Sequence, residues 1–483
     1  GAPHCQPLTI QIRYTHRPMP ERAYAPLYEE LADEHRRRSP RSAAIHDRAC
    51  RVLIDGGSHG IRLVKPFPPR IIEAQGGWVV DEDGHRILDL WQGHMANVLG
   101  HNPEVVTSEL ARAFADGFGT QSGLVDVLQV ELAELVCRLT SSERVRFTTS
   151  GSLSTMYSVL MARSFTGRGT VMKAGGGWHG AQPMLLKGVT YRDGGVGFEG
   201  VDSRGLPTAL TDRIVVTRYN DPQRLADDVA AVGDDLACLI LEPMLGAAGT
   251  IAGSTEYLRL ARQLCTERGA LLILDEMITG FRFHAGGLGA LHGVTPDLAI
   301  YGKALGGGMP VAAVAGRAEV MAEAGGATGP RVAFSGGTYS AHPASMLAAK
   351  VFLEHIDAHA AEVYPRLGET GRAMRQSIQS AFADAGILAR CTGAVDELEC
   401  GSSMVTVHFP HQDTVKLDTP EAVFDSERCD IELREKVLGL ALLVEDVHLL
   451  LAHGSASTAH TDDDVAFLTG ACRQAAARIA RHR

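Results

Sequence analysis

The 483-residue sequence has no uninterrupted apolar run of about 18 residues, the length a membrane-spanning helix needs, so no membrane span is expected. It has no C-x-x-C pair. Its nine cysteines are odd in number and scattered, a pattern of free thiols in a reducing cytoplasm rather than of a disulfide framework. No apolar signal core opens the chain, and Gly1 in place of Met reads as processing. Positive charge is in short supply too: the formal net charge of -11 leaves no basic surface for a phosphate backbone, which excludes nucleic acid as the partner. Arg36, Arg37 and Arg38 make only a short basic run, read as a solvated helix face. The nucleotide-binding loop GxxxxGK[ST] is absent, because Gly302-Lys303 is followed by Ala304 and Asp297 stands where its first glycine belongs. No metal site is expected either. Pro410 breaks any helix on which His408 and His411 would share an ion, and both read as surface histidines.

What is present is a globular composition, 45% hydrophobic and 21% charged, in a chain long enough for two or more lobes. Its centre is Ala270 to Pro310. Leu271 to Leu274 is a wholly apolar run that stops at Asp275 and Glu276, which is how a buried parallel strand ends at a ligand crevice. Asp297 to Tyr301 is a second apolar run, and it delivers Lys303 into a bend of glycines, Gly302 before it and Gly306, Gly307 and Gly308 after it. A lysine held between glycines at a strand end suits covalent chemistry, although any one Asp and Lys also make an ordinary ion pair.

Further candidates follow the same logic. Val145 to Thr149 reads as a strand that Ser150-Gly151-Ser152 turns into a helix running to about Phe165. Free backbone N–H groups and the helix dipole converge there on an anion, though Ser150 also suits a plain N-cap. Leu236 to Leu241 is another buried strand, ending at Glu242-Pro243 with a carboxylate at the crevice. A helix from Thr255 to Arg268 then leads back to Leu271, and strand-helix-strand at this spacing gives a mostly parallel sheet. Trp78 to Leu90 reads as a hairpin turning at Asp83-Gly84. Helices are expected over Pro26 to Arg38 and Leu124 to Leu139, and a long one from Ala344. Met404 to Val407 reads as a strand, and His411 to Cys429 as a loop.

The residues LDEMITGFR and TPDLAIYGKALGGGMP resemble the lysine region of the class III, fold-type I aminotransferases, which use pyridoxal 5′-phosphate (PLP), and in particular the branch of glutamate-1-semialdehyde aminomutase and the β-amino-acid aminotransferases. The resemblance runs from about Ile71 to His460. It implies an α/β fold: a large lobe with a mostly parallel sheet flanked by helices (106–343), and a smaller α+β lobe built from the N-terminal arm and following segment (1–105) with the C-terminal part (344–483). Lys303 would form a Schiff base with the cofactor and then act as the base that moves the substrate proton. Asp275 would pair with the pyridine nitrogen, and Trp178 would stack on the ring beside His179. Ser150, Gly151 and Ser152 would hold the phosphate, with Gly337 and Thr338 contributed by the other subunit of a homodimer. The resemblance also lays the N-terminal arm on that partner.

By the same resemblance Arg62, from GGSHGIRLVKPFPPRI, would grip a substrate carboxylate, with a surface salt bridge as the equal alternative, and Arg282 of the GFR run is a second candidate that also suits a purely structural role. The loop WQGHMANVLGHNP resembles the segment that enters the active site. The chain departs from the family at Leu153-Ser154, where Glu-Ala is usual, and again just before Ser457. The expected function is an aminotransferase acting on a small amine or amino acid. An intramolecular aminomutase, a diverged PLP enzyme of specialised metabolism, and a non-catalytic binding protein stay open as alternatives.

Overall fold

The computed structural model describes residues 24–325, 331–395 and 401–482. Seven strands form the central sheet: β1 (Arg144–Thr148), β2 (Thr170–Ala174), β3 (Ile214–Thr217), β4 (Leu236–Leu241), β5 (Leu271–Asp275), β6 (Leu298–Tyr301) and β7 (Ala312–Gly316), in the spatial order β1-β7-β6-β5-β4-β2-β3. All run parallel except β7, which is antiparallel to both neighbours. The wholly apolar strands have this cause, since each face is covered by helices. On β5, Leu272 and Leu274 join the cluster of Tyr257, Leu258 and Ala261, while Leu271 and Ile273 join Val159, Met161 and Ala162. Helices Thr255–Arg268 and Gly151–Thr166 therefore lie on opposite faces of the sheet. The register sets Asp275 beside Ile300, so β5 and β6 end at one level.

The second core joins the two ends of the chain. Tyr24, Leu27 and Leu31 pack with Leu88, Met374, Val405, Leu438 and Leu468, and Tyr24 Oη donates to Asp430 at 2.8 Å. The expected helix at Pro26 to Arg38 is Tyr24–Arg38, and it lies on its own chain's C-terminal part. Of the arm expected on a partner, this helix is part of what is described; residues 1–23 fall outside the described residues. A second helix, Pro40–Ala49, was not expected. Arg38 is not solvated with its neighbours, for its guanidinium bonds Asp446 at 2.6 Å.

Other expectations also shift. The boundary expected at 344 falls inside the large-lobe core, because Met346, Ala349 and Phe352 of helix Pro343–Ala358 pack with Val106, Leu132 and Val136. The helix expected from Leu124 begins at Val127, capped by the Asp126 side chain, and leaves Val125 89% exposed. A short helix, Pro420–Phe424, interrupts the expected loop 411–429. His408 is no surface residue: it is fully buried on strand Met404–His408, with Nε2 at 2.9 Å from the Thr392 hydroxyl. Burial holds its imidazole well below the usual histidine range, hence neutral. Among the described residues no cluster suits a metal ion, no helix is long and apolar enough to cross a membrane, and seven cysteines are free.

Candidate active site

The crevice opens where β1, β4, β5 and β6 end. Asp275 is buried, and its Oδ2 accepts from His179 Nδ1 at 2.8 Å and its Oδ1 from the Met277 N–H at 3.1 Å. Burial holds the His179 imidazole below its usual range even against the Asp275 charge, so Nδ1 carries the proton of a neutral ring. Two neutral donors thus orient an anion without cancelling it. His179 acts on Asp275, and its own Nε2 is buried without a partner among the described residues.

Lys303 opens a 3-10 turn, Lys303–Gly306, at φ 46°, a left-handed backbone its Cβ disfavours. Burial lowers its ammonium below the ordinary lysine range, with Asp275 and Glu242 pulling the other way and Arg282 adding to the fall. The structural ion pair left open above is not formed, because the salt-bridge partner of Asp275 is His179. Neutral amine is therefore more available here than on a surface lysine, as a nucleophile requires.

Glu242 serves the crevice through the backbone. Its Oε1 accepts from the Trp178 N–H at 2.8 Å and its Oε2 from the Gly246 N–H at 2.9 Å, while burial and the nearby Asp275 raise its carboxyl above the usual range. The Trp178 ring is 41% exposed and so free to lie against a ligand. Its loop is pinned from below by Lys173, a fully buried lysine on β2 that no sequence pattern had singled out. Lys173 Nζ donates to the carbonyls of Gly177 and Lys187 at 2.8 and 2.9 Å, and burial pulls its ammonium down to about 8.

Ser150 is the N-cap of helix Gly151–Thr166, with no side-chain capping bond and no acidic residue in the first turn. Its hydroxyl and the first-turn N–H groups are therefore left for an anion. A Cβ on Gly151 would come within 2.6 Å of Met277 Cε, the movable end of that side chain. Thr155 Oγ1, on the same helix, donates to the His179 carbonyl at 2.6 Å, tying the anion site to the Trp178-His179 loop. Where the family has Glu-Ala this chain has Leu153-Ser154, and Ser154 is buried with its Oγ 2.8 Å from Thr148 Oγ1. The Thr149 N–H donates to the Gly336 carbonyl at 3.1 Å, so the loop of Gly337 and the exposed Thr338 lies beside β1 of the same chain.

The two candidate arginines stand in different settings. Arg62 is exposed on the turn Gly60–Arg62, and its Nε donates to His94 Nε2 at 2.8 Å. His94, a histidine that had not been singled out, belongs to the turn Gln92–Met95, which packs against Lys303–Gly306. Arg282, by contrast, is buried, bonding the Ile278 carbonyl and Ser403 Oγ at 3.0 Å each; it braces the fold rather than facing the crevice.

The loop rests on Asp89, whose oxygens accept from the Trp91 and Gln92 N–H groups (2.9 and 3.0 Å), His101 (2.7 Å) and His448 (2.9 Å). Burial alone would raise this carboxyl, but the two histidines hold it well below the carboxylate range. A depressed carboxyl contributes stability above its unfolded value and loses it as pH falls toward the folded one. Asp89→Asn is expected to cost about 3 kcal/mol at pH 7. In urea titrations the gap to the parent should narrow below about pH 4.

These residues match the chemistry of one cofactor: an anion-binding helix end, a buried carboxylate, a mobile amine and a flat aromatic face. The family model for class-III aminotransferases matches residues 62–406. The chain belongs to this family. Its similarity to the glutamate-1-semialdehyde 2,1-aminomutase of Halorubrum lacusprofundi is 36% identity over 343 residues, 70% of this chain and 74% of that one. Among solved structures, an omega-transaminase from Sphaerobacter thermophilus shares 28% identity with a TM-score of 0.82, over 92% of this chain and 99% of that one. A β-phenylalanine aminotransferase from Variovorax paradoxus shares 27% with a TM-score of 0.79, over 93% and 97%. The fold is that of the fold-type I transferases, and the cofactor of this class-III aminotransferase is PLP.

Proposed function

We propose that the chain is an aminotransferase that takes a carboxylate-bearing amino donor and hands its amino group to a carbonyl acceptor. The observation that supports this reading is the bond from Arg62 to His94, whose turn packs against Lys303–Gly306. In it, Ser150, Gly151 and Ser152 hold the phosphate, Asp275 faces the pyridine nitrogen and Trp178 covers the ring. Bound PLP supplies an aldehyde for amine exchange and an electron-withdrawing ring. The chain supplies the rest. Lys303 presents a neutral amine, first as nucleophile and then as the base that moves a proton from the donor carbon. Asp275, fixed by His179, keeps a negative charge in a dry setting, and Trp178, fixed by Glu242, excludes water from one face.

The working unit in this reading is a homodimer in a reducing cytoplasm, with Gly337 and Thr338 reaching the partner's phosphate. Its support is the exposure of Tyr339, Leu124, Val125, Val127 and Val130, and the free thiols. An aminomutase is the second reading, favoured by the 36% identity to the Halorubrum relative. The two separate in one experiment, in which amino donors are added to the yellow protein without any acceptor. A transaminase loses its visible absorption once with a carboxylate-bearing donor and regains it when a keto acid is added. Continuous product formation from a single substrate, with no acceptor, would establish the aminomutase instead.

A further inference from the structure

The segment Trp91 to Asn97 is built against backbone preference. Gln92, Gly93, His94 and Met95 take φ of 45, 62, 63 and 63° in succession. Three of the four carry a Cβ that disfavours the left-handed region. The turn is closed by the Met95 N–H on the Trp91 carbonyl (2.8 Å) and the Ala96 N–H on that of Gln92 (2.9 Å), and Asp89 clamps its start. What this strained turn delivers is one imidazole. The ring of His94 lies between Trp91 and His59, with centroids 4.7 Å from each, and it accepts the Arg62 Nε–H beside Lys303–Gly306. Among the described residues Arg62 has no carboxylate partner.

We propose that His94 is a specificity-determining residue: its Nε2 holds the Arg62 guanidinium toward the Lys303 turn, leaving Nη1 and Nη2 for the carboxylate of the amino donor. The inference rests on the aminotransferase reading above. An arginine that must meet an incoming anion needs an acceptor that is not itself an anion, because Asp or Glu in this place would cancel its charge and compete with the substrate. A neutral imidazole orients the fork and leaves the charge intact. Burial, with the charges of Arg62, His59 and Lys303, pushes His94 down to about 3, so it stays an acceptor at neutral pH.

The test uses the PLP-loaded protein and follows the loss of visible absorption against the concentration of L-alanine, β-alanine, β-phenylalanine and L-glutamate, with 1-phenylethylamine as the donor lacking a carboxylate. In His94→Asn the left-handed backbone is tolerated but the acceptor no longer reaches Arg62. Half-saturation by the carboxylate donors should rise roughly ten- to a hundredfold. The maximal rate and the response to 1-phenylethylamine should hold. His94→Gln, whose Oε1 reaches as far as Nε2, should restore most of the loss. If His94→Asn fails to hold cofactor, Arg62→Lys is expected to give the same split between saturation and rate.

Unchanged half-saturation, an equal rise for 1-phenylethylamine, or no rescue by Gln would overturn the role of His94 while the aminotransferase reading stood. A parent protein that answers to no carboxylate donor would overturn both.

Discussion

Lys303→Ala will not turn over, and borohydride will no longer fix the cofactor to the chain. The expected loss is roughly 10⁴-fold or more, because one side chain supplies both the nucleophile and the base. Collapse of the fold is not the expected cause. Ala carries the same Cβ as Lys, so the φ of 46° is no harder for it to adopt, and the neighbouring β6 and helix Pro343–Ala358 keep their packing. Lys303→Arg separates charge from nucleophilicity, since a guanidinium keeps the cation beside Asp275 and Glu242 but does not give up its proton. It should be as inactive as the Ala variant. Absorbance, peptide mapping after borohydride and single-turnover rates check both. Transamination retained by either variant, even at a tenth of the parent rate, would remove Lys303 from its assigned place.

The legibility of this lysine in the sequence came from burial. β5 is apolar up to Leu274 and β6 is apolar throughout because both faces are covered, and such strands cannot be confused with half-exposed ones. Where they end, the first polar residues are forced to the crevice, so Asp275, Glu242 and Lys303 could be located from the apolar runs alone. The resemblance to class-III aminotransferases then supplied PLP, which no periodicity contains.

The misreadings have an equally physical origin. Leu124 fits a helical stripe with Val127 and Leu128, yet Asp126 caps the helix after it and leaves Leu124 exposed. His408 lies two residues before Pro410 and looked like part of a polar loop; only the pairing of its strand with Arg390–Thr392 and His453–Ser455 buries it. Least legible was the Arg62-His94 contact. The left-handed turn of His94 and Met95 starts from the Trp91 and Gln92 N–H groups that Asp89 holds, and Asp89 is itself held by His448 from 359 residues away. Local residue preferences point the other way at both positions, and that conflict is what marks the turn as functional.

Asp275→Asn separates the two tasks a buried carboxylate can have. If Asp275 were there for stability, removing its charge would destabilise the protein, since a neutral amide leaves a buried cation uncompensated. The surroundings argue otherwise. Its two hydrogen bonds come from the Met277 N–H on Oδ1 and the neutral His179 ring on Oδ2; an Asn keeps the first on its amide oxygen, and its Nδ2 donates to His179 Nδ1 once the ring proton moves to the unpartnered Nε2. Its charge raises the Glu242 carboxyl and also the Lys303 ammonium, so the amide relieves one repulsion and gives up one attraction. The melting temperature of Asp275→Asn should therefore stay close to that of the parent. Activity should not survive. An anion within about 4 Å of a protonated ring nitrogen contributes about 4 kcal/mol at an effective dielectric near 20, so its loss should slow the proton transfer by about 10³-fold. Cofactor affinity, set mainly by the phosphate site at Ser150 to Ser152, should fall far less than the rate. The decisive pair of measurements is calorimetric melting and the single-turnover rate on one preparation. A stable, slow variant fits Asp275 as the keeper of ring charge. An unstable variant whose folded fraction reacts at the parent rate would make Asp275 a structural residue and leave the protonation of the ring to another group.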